Sequence, residues 1–307
     1  MCGILGTTSG EISRIALNRL RHRGPDSFGV WRDQNVHMGH TRLSIIDLKN
    51  GDQPFVDKRE KTVLIFNGEI YNYREIRREL IRDFSYPFET DSDTEVLLAL
   101  YECVGIDKAL SMINGMFAFC IYDTNKNKIY IARDRMGIKP VFYHNNSKGL
   151  TFCSEIDPIA RHIGIENLSI SPSALSIYFN LYYIPSPFTI WEEIKALEPG
   201  CIATYEINTK KLDIRKYWEI PIYENRDLDD ISIIDETLRD STLIRMRSDV
   251  PYGAYLSGGI DSSLIVKHMS SYEDQIRTFT AEIDDEFLNE KKYAEIVSKR
   301  FNTDHEN

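Results

Sequence analysis

The second residue of the 307-residue chain is a cysteine, in the opening string Met1-Cys-Gly-Ile-Leu-Gly6. Methionine aminopeptidases remove an initiator methionine when a small residue follows. A mature chain would then begin at Cys2, with a thiol and a free α-amine on one residue. An α-amine has an ordinary pKa of about 7.7–8.0, so part of it is free base at neutral pH. It can take the thiol proton directly or through a water, which makes Cys2 a candidate nucleophile without a histidine partner.

Acyl transfer also needs donors for a developing oxyanion. Asn67-Gly68 follows the apolar run that starts at Thr62; the asparagine offers a side-chain amide and the glycine a bare backbone N–H. A free amino acid as substrate needs a cation for its carboxylate and anions for its ammonium. Arg42, in His40-Thr-Arg-Leu-Ser-Ile-Ile-Asp47, could supply the first, and Glu69 and Asp93 the second.

A second constellation lies far along the chain. Tyr252-Gly-Ala-Tyr-Leu-Ser-Gly-Gly-Ile-Asp-Ser-Ser-Leu-Ile-Val266 reads as a strand, a tight loop and a helix. Gly258 and Gly259 permit positive φ and present bare N–H groups. Ser257, Ser262 and Ser263 add hydroxyls, and the helix N-terminus adds partial positive charge. Together these make a pyrophosphate cradle. No Gly-Lys-Ser/Thr follows, so it is not a Walker loop. Asp261 would repel a phosphate unless a Mg²⁺ bridges the two.

Those residues need elements to hold them. Thr62–Asn67, Met116–Tyr122, Lys128–Arg133 and Leu150–Ser154 are β-rich runs bounded by turn residues, and Cys2–Thr8 makes a further strand. Asp123–Asn127 reads as a hairpin turn. Tyr73–Asp83 and about Ser92–Val104 have helical spacing, the second opening on the capping-box pattern Ser92-Asp-Thr-Glu95. Residues 172–200 read as a short helix and an irregular crossing. The polar stretch 208–230 is the linker candidate. Beyond it a helix with Ile231, Ile234 and Leu238 inward leads into strand 252–256, loop 257–263, helix 263–271, strand 278–283 and helix 290–300. Strand–helix alternation of this kind signals a parallel α/β sheet.

Composition limits the function classes. The net charge of −10 leaves no basic footprint for nucleic acid or an anionic membrane. No window approaches the roughly 18 apolar residues that span a bilayer, and no secretory leader is evident, so the expected place is the cytoplasm. The five cysteines, Cys2, Cys103, Cys120, Cys153 and Cys201, form no CxxC pair. A zinc site or disulfide framework is not expected, and Cys120 and Cys153 read as core residues. His22 and His40 read as structural.

These strings resemble class II glutamine amidotransferases, and within them the glutamine-hydrolysing asparagine synthetases. The resemblance is carried by Met1-Cys-Gly-Ile4, Arg21-His-Arg-Gly-Pro-Asp26, Arg42-Leu-Ser-Ile-Ile-Asp47, Gln53-Pro54, Asn67-Gly-Glu-Ile-Tyr-Asn72, Ser92-Asp-Thr-Glu-Val96, Gly115-Met-Phe-Ala-Phe119, Arg133-Asp134, Gly137-Ile-Lys-Pro140 and Tyr252–Ser263. It implies an N-terminal-nucleophile αββα sandwich over residues 1–207. A linker over 208–230 and an α/β ATP pyrophosphatase (PP-loop) domain over 231–307 would follow. It implies Cys2 as nucleophile, Asn67 and Gly68 as oxyanion hole, and Arg42, Leu43, Ser44, Ile45, Ile46, Glu69 and Asp93 around glutamine. Arg23 and Asp26 would support the loop beside Cys2, and Met116 matches a position on the ammonia path. Leu256 and Ala281 would contact adenosine, with Ser257, Gly258, Gly259, Ile260, Asp261, Ser262 and Ser263 on the pyrophosphate.

The implied substrates are glutamine, ATP with Mg²⁺, and aspartate or another carboxylate. No tightly bound cofactor is implied, nor a protein metal site beyond Asp261 acting through Mg-pyrophosphate. Two copies could pair as a homodimer. In the family the synthetase domain runs on by on the order of 100–200 residues, so only its N-terminal part is expected here, which leaves glutaminase activity alone as an alternative. A further alternative acceptor is a uronic acid of a surface polysaccharide, suggested by Tyr182-Tyr-Ile-Pro-Ser-Pro-Phe188. The Ser257–Ser263 loop argues against amidophosphoribosyl or hexosamine-phosphate relatives.

Overall fold

A computed structural model describes residues 1–57, 61–222, 231–284 and 289–307. These fall into two units, Met1–Pro221 and Ile222–Asn307.

Unit 1 opens with β1 (Gly3–Thr7), α1 (Arg14–Asn18), β2 (Ser27–Arg32), β3 (His37–Arg42), β4 (Phe55–Val56) and β5 (Thr62–Ile70). It continues with α2 (Tyr73–Phe84), α3 (Asp93–Val104), α4 (Ile106–Met112), β6 (Gly115–Asp123), β7 (Lys128–Arg133), β8 (Phe142–Asn146) and β9 (Gly149–Cys153). It closes with α5 (Ile156–Ile163), α6 (Pro172–Leu181), β10 (Lys195–Ala196), β11 (Cys201–Glu206) and β12 (Lys211–Lys216). The strands make two six-stranded sheets, ordered β10-β8-β9-β1-β3-β2 and β12-β11-β7-β6-β5-β4.

Alternation along β5 and β6 explains the layering. Val63, Ile65, Ala118, Cys120 and Tyr122 pack with Ile4, Met38 and Phe152 of the other sheet. Their neighbours Leu64, Phe66, Phe117, Phe119 and Ile121 pack on the opposite face against α2, α3 and α4. A third cluster joins Leu5 and Cys153 to α1 and α5. The order is therefore helix, sheet, sheet, helix, as the resemblance implies. Strands covered on both faces must be apolar at every position, which is why Thr62–Asn67 and Met116–Tyr122 read as unbroken runs. Phe66, Phe117 and Phe119 are each at most 2% exposed, and burying such a side chain is worth about 1.5–3 kcal/mol.

Helix α3 starts where its cap predicts, with the Ser92 hydroxyl accepting from the Thr94 N–H at 3.1 Å. The reciprocal half of the capping box is not made. The Glu95 carboxylate instead accepts from the Glu89 and Thr90 N–H groups, at 3.0 and 2.7 Å.

The expected linker 208–230 needs correction. Its Lys211–Lys216 stretch is β12, paired antiparallel with β11 from Cys201↔Lys216 to Glu206↔Lys211. An edge strand with one wet face reads as polar sequence, and its lysines blunt the open edge. Residues 223–230 lie outside the described residues.

Unit 2 runs α7 (Ile231–Arg245), β13 (Gly253–Tyr255), α8 (Ile260–Ser270), β14 (Arg277–Phe279), α9 (Lys291–Phe301) and β15 (Asp304–Glu306). The three strands are parallel, in the order β13-β14-β15. Two details differ from expectation. Strand 278–283 ends at Phe279, with the Thr280 hydroxyl turned back onto the Leu256 carbonyl. And Ile231 and Ile234 are 78% and 54% exposed rather than inward. Leu238 is half-buried, Asp235 pairs with Lys267 of α8 at 2.8 Å, and the apolar cover comes at the C-terminal end of α7, where Leu243 and Met246 meet Met269 and Ile276.

Candidate active site

Strand β1 carries Cys2 at its entry, and β3 leads directly into the loop beside it. The Cys2 sulfur accepts from the Leu43 N–H at 3.4 Å and lies 3.7 Å from the Leu43 carbonyl. Arg23 fixes the neighbouring peptide, donating from Nε to the Cys2 carbonyl at 2.9 Å while pairing with Glu155 at 3.1 Å. Asp26 accepts the Ser44 N–H at 2.8 Å. Arg23 and Asp26 thus brace the two sides of Cys2. Burial pushes the Cys2 thiol up from its ordinary pKa, opposed by the Leu43 N–H and the Met1 amine.

Cys2 opens onto a cavity of about 280 Å³. Arg42, Leu43, Ile45, Ile46, Asn67, Gly68, Glu69, Asp93 and Met116 share its wall. Ser44 does not, since its N–H is spent on Asp26. Arg42 is 5% exposed, and its guanidinium donates to the Ile46 carbonyl at 3.2 Å, the Asp47 carbonyl at 2.6 Å and Asp52 at 3.1 Å. It therefore shapes the 42–47 loop as well as facing the cavity.

Asn67 is fully buried, and neither its side-chain nitrogen nor its oxygen has a hydrogen-bond partner among the described residues. Leaving a buried amide unpaired costs about 1–3 kcal/mol, so such groups mark functional positions. Next to it, a Cβ at Gly68 would sit 2.1 Å from the Met116 carbonyl oxygen, so only glycine fits. Asp93, in the first turn of α3, accepts the Ile70 N–H at 2.9 Å. Burial, assisted by Glu69, raises its carboxyl to about 7, and burial also raises Glu69. No cation offsets the burial of Asp93, whereas Lys139 and the Met1 amine partly offset that of Glu69. His40 is buried against the Phe66 carbonyl at 3.1 Å, and burial lowers its pKa to about 4, so it is neutral and structural.

In unit 2 the loop is shorter than expected. Gly259 caps α8, so Ile260, Asp261, Ser262 and Ser263 belong to the first helical turn. Gly258 has φ +77°, and a Cβ there would meet the backbone of Tyr293 at 2.4 Å. Ser257 Oγ contacts Ser262 Oγ at 3.0 Å and accepts the Gly259 N–H at 3.2 Å. Gly259 offers no side-chain cap to the first turn, which fits a phosphate there. Leu256 is 1% exposed, in a core with Val266 and Ala294, with its N–H donated to the Phe279 carbonyl at 2.8 Å and its carbonyl taken by the Thr280 hydroxyl, so neither its side chain nor its backbone is open here. Ala281 is exposed just past β14. Among the described residues no cluster of three or more His, Cys, Asp or Glu could hold a metal, and no helix is long and apolar enough to cross a membrane.

Residues 1–218 match the glutamine amidotransferase domain model. The chain belongs to the glutamine amidotransferase family. Beyond the amidotransferase unit, residues 234–307 match the asparagine synthase model. A putative glutamine-hydrolysing asparagine synthetase 2 of Methanocaldococcus jannaschii is 35% identical over 99% of this chain and 64% of its own length. Asparagine synthetase 1 of Bacillus subtilis is 36% identical over 96% of this chain and 48% of its own. Asparagine synthetase B of Escherichia coli is 32% identical over 91% and 47%. The chain thus spans about half to two thirds of these curated relatives. The fold is also that of a glutamine phosphoribosylpyrophosphate amidotransferase from B. subtilis, with TM-score 0.54 at 18% identity over 88% of this chain and 64% of that one. At that identity the likeness is one of fold.

Two residues of the amidotransferase cavity were quoted in motifs but given no role. Gln53 accepts the Phe66 N–H at 2.6 Å and donates to Thr94 at 3.3 Å, which ties the end of β5 to α3. Lys139, from Gly137-Ile-Lys-Pro140, also reaches the wall. Its signal was a lysine inside an otherwise turn-like string.

Proposed function

We propose that the chain hydrolyses glutamine at Cys2 and belongs to a glutamine-dependent asparagine synthetase. The orphaned, fully buried Asn67 amide on the same cavity as Cys2 carries this reading. With Met1 removed, the terminal amine takes the Cys2 proton and the sulfur attacks the glutamine amide carbon. Asn67 and the Gly68 N–H receive the oxyanion. The proton passes to the leaving nitrogen, ammonia departs, and water releases glutamate from the thioester. Arg42 holds the α-carboxylate; Glu69 and Asp93 hold the α-ammonium.

The first turn of α8, with Ser257 to Ser263, is the pyrophosphate site of ATP. Mg²⁺ would supply charge neutralisation there, with Asp261 the residue to hold it. The acceptor is aspartate: its carboxylate oxygen attacks the α-phosphate, pyrophosphate leaves, and ammonia then displaces AMP. The names of the relatives support this acceptor over a uronic acid. The setting is cytoplasmic, where Cys2 stays reduced.

The test is glutamate release by the purified chain. Cys2→Ala is expected to remove it by at least about 10³-fold with the fold intact, since a nucleophile has no substitute here. Equal rates in both proteins end the reading. Pyrophosphate release with aspartate against uronic acids, in the longer protein, decides the acceptor.

A further inference from the structure

Lys139 is 7% exposed, yet its backbone is tied down on both sides. The Asp134 carboxylate accepts the N–H groups of Phe117, Met136, Ile138 and Lys139 at 2.9–3.1 Å. Arg133 donates to the carbonyls of Lys139 at 2.9 Å, Gly137 at 2.8 Å and Leu197 at 2.6 Å. The ammonium at the end of this rigid loop has no hydrogen-bond or ion-pair partner among the described residues, and it shares the cavity wall with Cys2 and Glu69.

A half-desolvated cation left without a partner is costly, so its placement needs a reason. Burial pulls its pKa down, with a smaller push from Arg23, while Glu69, the Cys2 sulfur and, least, Asp134 pull it up. Lys139 also lies close enough to the Met1 amine, the residue joined to Cys2, to lower its pKa, after burial and alongside Arg23. The other charged groups acting on the sulfur are the Met1 amine, Asp93 from α3 and Arg42 from β3, while Arg23 and Asp26, from the stretch after α1, act on the Met1 amine. Arg42 and Arg23 are already engaged, with Asp52 and Glu155. Among the described residues that line the cavity, Lys139 is the side-chain cation without an ion-pair partner.

We propose that Lys139 is a positioning residue for the nucleophile: its fixed ammonium, on the same cavity wall, favours the thiolate of Cys2. The proton still moves from sulfur to amine; Lys139 transfers none. This rests on the reading of Cys2 as nucleophile.

The test uses the full chain and iodoacetamide, with alkylation of the Cys2 peptide followed by mass spectrometry across the pH range. Lys139→Met is expected to raise the pH midpoint of alkylation by about one unit, so that the rate at neutral pH falls about tenfold. Lys139→Arg is expected to restore the wild-type midpoint. Lys139→Gln, which keeps a polar end, serves if the methionine variant does not fold. Glutamine turnover should fall in kcat at neutral pH and recover at alkaline pH, with KM little changed. One midpoint shared by all variants overturns the proposal, as does a raised KM with an unmoved midpoint, which would assign Lys139 to the substrate carboxylate. A wild-type chain that alkylates but releases no glutamate sinks the amidotransferase reading, while the midpoints still decide the role of Lys139.

Discussion

Asn67 and Asp93 are both held in states that suit a ligand better than the resting protein. The Asn67 amide has no partner. Asn67→Ala is expected to lower kcat for glutamine by about 10²–10³-fold, the usual cost of one oxyanion donor. Its thermal stability should fall by less than a typical core truncation, because an unpaired amide leaves with the side chain. A large stability loss with unchanged kcat would make Asn67 a packing residue. For Asp93 the sign follows from its raised carboxyl pKa, about 7 against an ordinary 3.8. The folded state then binds the proton more tightly than the unfolded chain. Stability contributed by the protonated form is lost as pH climbs from about 4 to about 7. Asp93→Asn should therefore be more stable than wild type at pH 8, by ~1–2 kcal/mol, with the gap closing towards pH 4. Glutamine needs the ionised form, so wild-type KM should fall as pH rises through about 7, and the variant should lose that dependence. Melting and KM series across pH check both.

At the scale of elements, β5 and β6 place the site. Their register pairs Asn67 with Ala118 and Gly68 with Phe117. Gly68→Ala would force a methyl to within 2.1 Å of the Met116 carbonyl. Backbone cannot yield as a side-chain tip can, so the strands must part locally. The expected result is loss of glutamine turnover together with a melting temperature lower by several degrees, read by activity and calorimetry. The double-sided burial of these strands made them legible in sequence, since apolar residues fill both faces. Cys2 was legible because it sits where a strong strand begins, and Asn67 and Gly68 because they break the apolar run inside β5, which continues to Ile70 rather than ending at them. Other elements left no such trace. β3, His37–Arg42, is mostly small and polar, and β15 is Asp-His-Glu, so neither carries an apolar signal. β12 is charged because it is an edge. α7 has helical apolar spacing, but of the residues expected inward Ile231 and Ile234 are wet and Leu238 is half-buried. Periodicity reports that a face is apolar, and says nothing of what covers it. Lys139 stayed unassigned because its placement comes from the Asp134 carboxylate, a tertiary device with no spacing rule.

On the scale of the whole molecule, the apolar clusters separate cleanly. Three lie within Met1–Pro221 and two small ones within Ile222–Asn307. The second unit buries few large side chains, and α7 leaves Ile231, Ile233 and Ile234 more than half exposed. A small core supports little net stability. Calorimetry of the chain is expected to show two transitions, the smaller at lower temperature, with glutamine hydrolysis surviving the first. One shared transition that ends hydrolysis would show the halves to be cooperative.

Independent cores also bear on how such an enzyme fails. On the function proposed above, mild heat or denaturant would silence the half that consumes nitrogen while the half that liberates it keeps turning over. The damaged molecule would then drain glutamine into free ammonium with nothing made in return, a leak that an inert unfolded chain could never cause.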